Sequence, residues 1–383
     1  MAAPALAAPT PRRVLDDRLT PWRAEVDRWS LGAVVAIIAF GVIAVFAASP
    51  PVATRLGLDG WHFAIRHLTF LPVALLLIVG LSMTPPIWLR RLALVGLLGA
   101  LVLLAATLIA ADDVKGARRW IALFGFSLQP SEFVKPFLAV VTAWLFARAK
   151  HEPRFPGERI AGGLLIIACA MLALQPDIGM ASLIAMSWLA QLFLGGLPMI
   201  WAVAAGVVLI LLLIGAYYGF DHVASRIDHF FDPSSGDTFQ IDQAMRAFDA
   251  GGLLGVGPGE GEVKARIPDA HADFVFAVAA EEFGFLLCAA VIALFAIVAV
   301  RGLRRAAAER DLFIALAAAG LAVQFGAQAL VNFSSTLGLL PTKGMTLPFV
   351  SYGGSSLLAS AITVGMLLGF TRARPRTASD GRG

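Results

Sequence analysis

Apolar runs of about twenty residues recur along nearly the whole chain, each long enough to cross the hydrocarbon of a bilayer as an α-helix. With no water in that layer, backbone N–H and C=O groups must pair within the protein, which a helix achieves by itself. A closed barrel would instead show short segments of alternating polarity. Composition agrees: of 383 residues, 58% are hydrophobic and only 15% charged, where a soluble domain carries about 25% charged residues. The expected fold is an all-α, polytopic membrane domain.

Ten spans are expected, near residues 30–49, 66–83, 92–111, 132–148, 159–175, 180–195, 198–219, 274–300, 312–334 and 349–370. They make a membrane domain over 30–370, preceded by a polar head, 1–29, whose start is expected to be disordered, and followed by a short tail, 371–383. Ala47-Ala48-Ser49-Pro50 faintly resembles a signal-peptidase site, but the apolar run before it is long and many spans follow, so the first helix is expected to stay. Placing the head inside puts 19 of the 30 Lys and Arg residues on the inner side, among them Arg90, Arg91, Arg148, Arg301 and Arg305. Basic short loops remain cytoplasmic, so the expected topology is N-in and C-in, with a large outer loop, 220–273, between the seventh and eighth spans. The pI near 9.4 then reflects topology and not nucleic-acid binding. Cys169 and Cys288 lie inside apolar runs at no metal or redox spacing and are read as packing residues.

The charges that break the topology rule direct attention to the outer face. Lys115, Arg118 and Arg119 stand in the loop after the third span, and Lys343 in the loop before the tenth. Adjacent guanidiniums can grip phosphate oxygens with forked donors, or snorkel to lipid headgroups with Trp120 as an anchor. In Gln129-Pro130-Ser131-Glu132-Phe133-Val134-Lys135, Ser131 is placed to cap a helix. Glu132 and Lys135 share one helix face, where they would lock neighbouring helices or hold a cavity in shape. Gln175-Pro176-Asp177-Ile178-Gly179 reads as a tight turn with Asp177 capping the next helix.

The glycine-rich run 251–261 lacks the flanking strand and the Gly-Lys-Ser of a nucleotide loop, and is read as a compact loop approaching the membrane surface. Pro268-Asp269-Ala270-His271-Ala272-Asp273 brings Asp273 to the mouth of the eighth span, where it could cap the helix or act on a ligand. Glu281 and Glu282 follow about two turns deeper, and a carboxylate there needs a partner or a proton. A rim and a deep carboxylate beside a basic loop suit an acidic lipid headgroup. The last outer loop, 340–356, carries Lys343 and the small residues Gly353 and Gly354, which permit close approach of a helix or ligand.

Taken in order, the blocks 116–121, 129–135, 175–179, Gln240 with Gln243, the glycine-rich loop, 268–277 and 340–356 resemble the SEDS family of polytopic peptidoglycan polymerases. Leu340-Pro341-Thr342-Lys343-Gly344-Met345 and the polar head are similar to that family's cell-division branch. The resemblance implies ten spans and a glycosyltransferase that polymerises lipid II, the undecaprenyl-pyrophosphate-linked disaccharide-pentapeptide. The reaction would take place at the outer leaflet of the bacterial inner membrane, at the division septum. It also implies a class B penicillin-binding protein transpeptidase as partner, together with other division proteins.

The family's essential Asp falls on Asp273, which would act as general base in an inverting transfer. Lys115, Arg118, Arg119 and Lys343 would meet the pyrophosphates. Gln129, Ser131, Glu132, Lys135, Gln240, Gln243, Glu281 and Ser351 would line the substrate site, with His271 shaping the loop beside Asp273. A divalent cation, Mg or Mn, would also suit the leaving pyrophosphate. Phe239 and Ala244 stand where Tyr and Ser are usual, and Ala272 replaces a Thr, which removes a hydroxyl next to Asp273. Two other functions remain open: a lipid II flippase, which needs a polar path to both leaflets, and a non-catalytic division scaffold, which needs no rim carboxylate.

Overall fold

The computed structural model describes residues 22–110, 119–123, 126–196, 199–219, 239–341 and 344–373, with Ala224 and Asp228. The head before Trp22, Lys115, Arg118 and Lys343 lie outside the described residues. In chain order the helices are α1 (Arg28–Arg55), α2 (His62–Met83), α3 (Pro86–Ala110), α4 (Pro130–His151), α5 (Gly157–Leu174), α6 (Ile178–Leu194), α7 (Met199–Gly219), α8 (Phe239–Gly251), α9 (Val275–Ala308), α10 (Leu312–Thr336) and α11 (Gly354–Phe370). Each of the ten stretches expected to span overlaps one of these helices, and α8 lies in the long loop. Six of them, α1, α2, α3, α5, α9 and α10, are long and apolar enough to cross a membrane. A short antiparallel hairpin, β1 (Ile121–Leu123) with β2 (Phe126–Leu128), departs from the all-α expectation.

Local chemistry sets the helix ends. Pro130 opens α4 where its missing N–H costs nothing, and Arg148, Lys150 and His151 close it against the negative end of the helix dipole. The cap position is therefore Gln129, and Ser131 sits inside the first turn instead of capping it. Asp177 accepts from Met180 N at 3.4 Å and caps α6, as its turn sequence suggested. Asp311 does the same for α10 through Ile314 N at 3.0 Å. The tenth expected span starts late, at Gly354, because Phe349 adopts a left-handed φ of 64°.

The most buried of the long helices is α10: 72% of its apolar window is enclosed, against 28% for α2 and α3, which places it at the centre of the bundle. α11 packs on α2 through Gly365 and Gly369, four residues apart; a Cβ on Gly369 would stand 2.8 Å from Leu81 O.

The largest departure from expectation is inside α9, where Gly284 is non-helical at φ 80°, ψ 177°. The break frees backbone groups, and the glycine-rich loop pairs them: Val256 N donates to Glu281 O and Gly257 N to Glu282 O, both at 3.0 Å. In return Phe285 N and Leu286 N donate to Gly252 O and Leu253 O at 2.9 and 3.2 Å. A Cβ on Gly251, Gly255 or Gly284 would collide with backbone atoms across this junction, so glycine is required by close approach and, at 255 and 284, by positive φ as well.

Polar contacts sort the helix ends onto two faces. On one, Asp27 receives Arg301 Nε and Nη2 at 2.8 and 2.6 Å and Ser30 Oγ at 2.6 Å, Arg305 Nη1 donates to Thr371 O at 2.8 Å, and Arg372 pairs with Glu25 at 3.0 Å. Beyond signalling topology, these arginines tie residues 25–30 to α9 and to residues 371–372. On the opposite face lie the 268–273 segment, the 344–353 loop and the 175–177 turn. Burial by itself would raise the Asp27 carboxyl, but the hydrogen bonds from Arg301 and Ser30 and the charges of Arg305 and Arg301 outweigh it and hold the group at about 2. A depressed carboxyl stabilises the fold above its unfolded value of 3.8 and loses that contribution as pH falls through about 2. Thermal unfolding in detergent is therefore expected to show Asp27→Asn destabilised by about 1–2 kcal/mol at pH 7, allowing for solvent screening at the rim. Its deficit should close between pH 4 and 2.

Candidate functional site at the Asp273 face

Asp273 does not occupy the cap of α9: that position is Phe274, whose ring cannot cap. What the structure does with this segment is hold its backbone. Three consecutive carbonyls are each taken by a different donor: His271 O by Tyr352 N at 2.9 Å, Ala272 O by Ser351 Oγ at 2.6 Å, and Asp273 O by Asn332 Nδ2 at 3.1 Å. Ser351 also accepts from Leu347 N at 2.8 Å, so its buried hydroxyl is used within the protein. It supplies a hydroxyl contact at Ala272, the residue that lacks one of its own. The His271 ring stacks on Phe63 with centroids 4.1 Å apart, and Tyr352 meets Phe63 edge-on at 4.9 Å, which accounts for His271 as a loop-shaping residue. Gly344, at φ 60°, closes over the carboxylate, and a Cβ there would stand 3.5 Å from Asp273 Oδ2. Asp273 itself is half-buried.

A polar stripe descends from this clamp into the bundle. Asn332, Gln328 and Gln324 recur every four residues on one face of α10, and all three are buried. Asn332 Nδ2 also reaches Met345 O at 2.6 Å, and Gln328 Nε2 reaches Thr346 O at 3.0 Å. Gln328 Oε1 accepts from Lys135 Nζ at 2.8 Å, and Lys135 pairs with Glu132 at 2.7 Å. Glu132, Lys135, Gln324, Gln328, Ser360 and Thr363 line a small internal cavity. The two readings of the Glu132–Lys135 pair thus coincide: it joins α4 to α10 and also forms a cavity wall. The stripe was missed from sequence, although amides four apart in an apolar helix are a visible signal of an inward-facing polar surface.

Other candidates are engaged elsewhere. Arg119 donates from Nε to Gln175 O at 3.2 Å and from Nη2 to Pro176 O, with Asp177 at 4.0 Å. Its guanidinium thus fixes the 175–177 turn, and the fork expected on a pyrophosphate is occupied. Gln129 belongs to the same corner, donating from its backbone N to Ser355 Oγ at 3.0 Å and from Nε2 to Asp177 at 3.5 Å. Glu281 accepts from Val263 N and Lys264 N, each at 2.7 Å, and Glu282 pairs with Lys264 Nζ. Both glutamates are buried, and they latch a short 3-10 turn onto the upstream half of α9; their oxygens face protein donors, not an open site. Gln243 is buried on α8 and Gln240 is partly exposed one turn earlier. Among the described residues no group of three or more His, Cys, Asp or Glu could hold a metal ion.

Comparison with known proteins gives this geometry its family. The profile of the cell cycle protein family of FtsW, RodA and SpoVE matches residues 28–375. A protein of Caulobacter vibrioides described as probable peptidoglycan glycosyltransferase FtsW is 44% identical over 355 residues, 92% of this chain and 91% of its own. The protein of the same description from Trichlorobacter lovleyi is 38% identical over 375 residues, covering 94% and 98%. A chain from a peptidoglycan synthase complex, solved for its coordination of polymerization and crosslinking, aligns with TM-score 0.73 at 28% identity over 90% of this chain and 97% of that one. The rod shape determining protein RodA of Thermus thermophilus aligns with TM-score 0.66 at 27% identity, over 90% and 96%. The chain belongs to the FtsW/RodA/SpoVE family of cell cycle proteins, the SEDS family its motifs resemble.

Proposed function

We propose that this protein is a peptidoglycan glycosyltransferase that polymerises lipid II during septal wall synthesis, with Asp273 as general base. The observation that carries the reading is the clamp on three successive carbonyls, which holds one half-buried carboxylate at the end of the buried amide stripe of α10. The names of its relatives and the synthase complex among its structural neighbours support the same activity.

In the transfer, an acceptor sugar hydroxyl forms a bond to the donor's anomeric carbon as the bond to the lipid pyrophosphate breaks. Asp273 takes the hydroxyl proton, and attack from the face opposite the leaving group inverts the α-linked donor to a β-linked glycan. The pyrophosphate leaves as an anion that cations stabilise. With Arg119 tied to the 175–177 turn, this part goes to Lys115, Arg118 and Lys343; Lys343 adjoins Gly344, which covers the Asp273 carboxylate. A divalent cation, if used, would neutralise the same leaving group. Gln240, Gln243 and Ser131, with the wall at Glu132 and Lys135, would shape the space for the sugars.

The assigned topology is ten crossings with both termini in the cytoplasm, so that the Asp27 face is inner and the Asp273 face outer. The basic residues of the Asp27 face favour this orientation. The protein would reside in the inner membrane at the septum, with a single-span class B penicillin-binding protein as transpeptidase partner. A flippase would need a polar path to both faces; below Gln324 α10 itself buries Leu321, Ala317 and Leu316, and the polar groups that meet it there, Ser187 and Gln191, are bonded to Gly320 O and Leu316 O.

Purified protein with its transpeptidase partner is expected to polymerise lipid II, and Asp273→Asn to lower the rate by roughly 10²–10⁴-fold with an unchanged melting temperature. Wild-type activity in that variant would remove Asp273 from the chemistry. Lys135→Met should destabilise by about 3–5 kcal/mol because it leaves Glu132 buried without its cation. Adding Glu132→Gln should restore stability while activity stays about tenfold down. Recovery of both would reduce the pair to a helix lock.

A further inference from the structure

The loop joining α8 to the 3-10 turn exposes a concentrated apolar surface. Leu253 and Leu254 are 67% and 78% exposed, beside Phe285 and Leu286 at 58% and 56%. Between Asp249 and Glu260 no residue is ionisable. A patch of this kind on a soluble surface would call for a protein partner. Here its depth can be measured along α9.

Arg301, paired with Asp27, marks the polar rim of one face. Phe285 lies sixteen residues before it on the same helix, about 24 Å away along the axis at roughly 1.5 Å per residue. The hydrocarbon layer is about 30 Å thick, so Phe285 stands about 6 Å short of the opposite boundary, and helix tilt lowers it further. Phe285 N and Leu286 N bond to Gly252 O and Leu253 O, which brings the loop to the same depth. Non-helical backbone survives there only if its polar groups are paired within the protein. The reciprocal bonds across the break pair Val256 N and Gly257 N with Glu281 O and Glu282 O, and Gly252 N and Gly255 N donate back to Phe248 O and Gly251 O at 3.2 and 2.7 Å. The side chains of Leu253 and Leu254 stand exposed next to Phe285 and Leu286 of α9.

We propose that loop 252–257 is a re-entrant wedge that dips into the hydrocarbon, with Leu253 and Leu254 in contact with lipid acyl chains. The wedge is independent of the glycosyltransferase reading, since it follows from the break in α9 and the thickness of a bilayer.

Site-directed nitroxide labelling tests it. The full chain with Cys169→Ala and Cys288→Ala would carry Leu254→Cys, or Glu260→Cys as the reference, in phosphatidylethanolamine/phosphatidylglycerol nanodiscs. Power saturation then compares collisions with oxygen, which concentrates in hydrocarbon, and with a water-soluble nickel chelate. At position 254 oxygen is expected to exceed nickel severalfold, and at 260 the order should reverse. Val256→Cys reports on the same loop should a label at 254 disturb the fold. A label at 254 that behaves like the one at 260 would place the loop in water and overturn the wedge. A label at 254 shielded from both reagents would also overturn it, since protein and not lipid would then cover the turn.

Discussion

The interruption of α9 at Gly284 is the constraint on which the Asp273 face depends. An unbroken helix of 34 residues would run about 51 Å, well beyond the hydrocarbon thickness. The break turns the first nine residues into a separate half-helix that packs against α8 and carries the 271–273 segment on its leading end. Four backbone groups freed by the break are paired by the glycine-rich loop, and both glutamates latch the half-helix to the 263–266 turn. Each device satisfies a buried polar group, as a low-dielectric setting demands. Together they define where Asp273 stands.

Much of this was legible in the sequence because the bilayer imposes a length and a polarity on every crossing. The ten apolar runs, the Asp177 cap and the outlying position of Asp273 follow from periodicity, turn chemistry and charge placement. The break was not legible, because residues 274–300 read as one apolar run and a single glycine inside a run does not announce an interruption. Its signal was distributed: Gly251, Gly255 and Gly284 matter only as a set, meeting across a contact between distant parts of the chain. The clamp was hidden for the same reason. Ser351, Tyr352 and Asn332 come from two further elements, and sequence spacing says nothing about their meeting at residues 271–273.

The structure also redistributes the charged residues. Sequence reasoning sends ionisable groups at a membrane boundary toward a ligand, since their burial is costly. Arg119, Glu281 and Glu282 instead meet partners within the protein: turn carbonyls for Arg119, backbone amides for Glu281 and Lys264 for Glu282. Glu132 and Lys135 lie between these cases, paired with each other and yet facing a cavity connected through Gln328 and Asn332 to the backbone of Asp273. In that arrangement the site is built by α10, whose three buried amides tie the cavity to the rim, more than by the loops that first drew attention.

The central claim is that the held carboxylate of Asp273 receives the proton of the attacking sugar hydroxyl. A structure of the protein in nanodiscs with a glycan acceptor and an unreactive lipid-pyrophosphate donor bound together tests it most directly. The account predicts an acceptor hydroxyl within about 2.6–3.2 Å of an Asp273 carboxylate oxygen, or joined to it through one water, and aligned with the donor's anomeric carbon. A complex in which both substrates are seated for reaction while Asp273 stands beyond the reach of any hydroxyl or bridging water would contradict it.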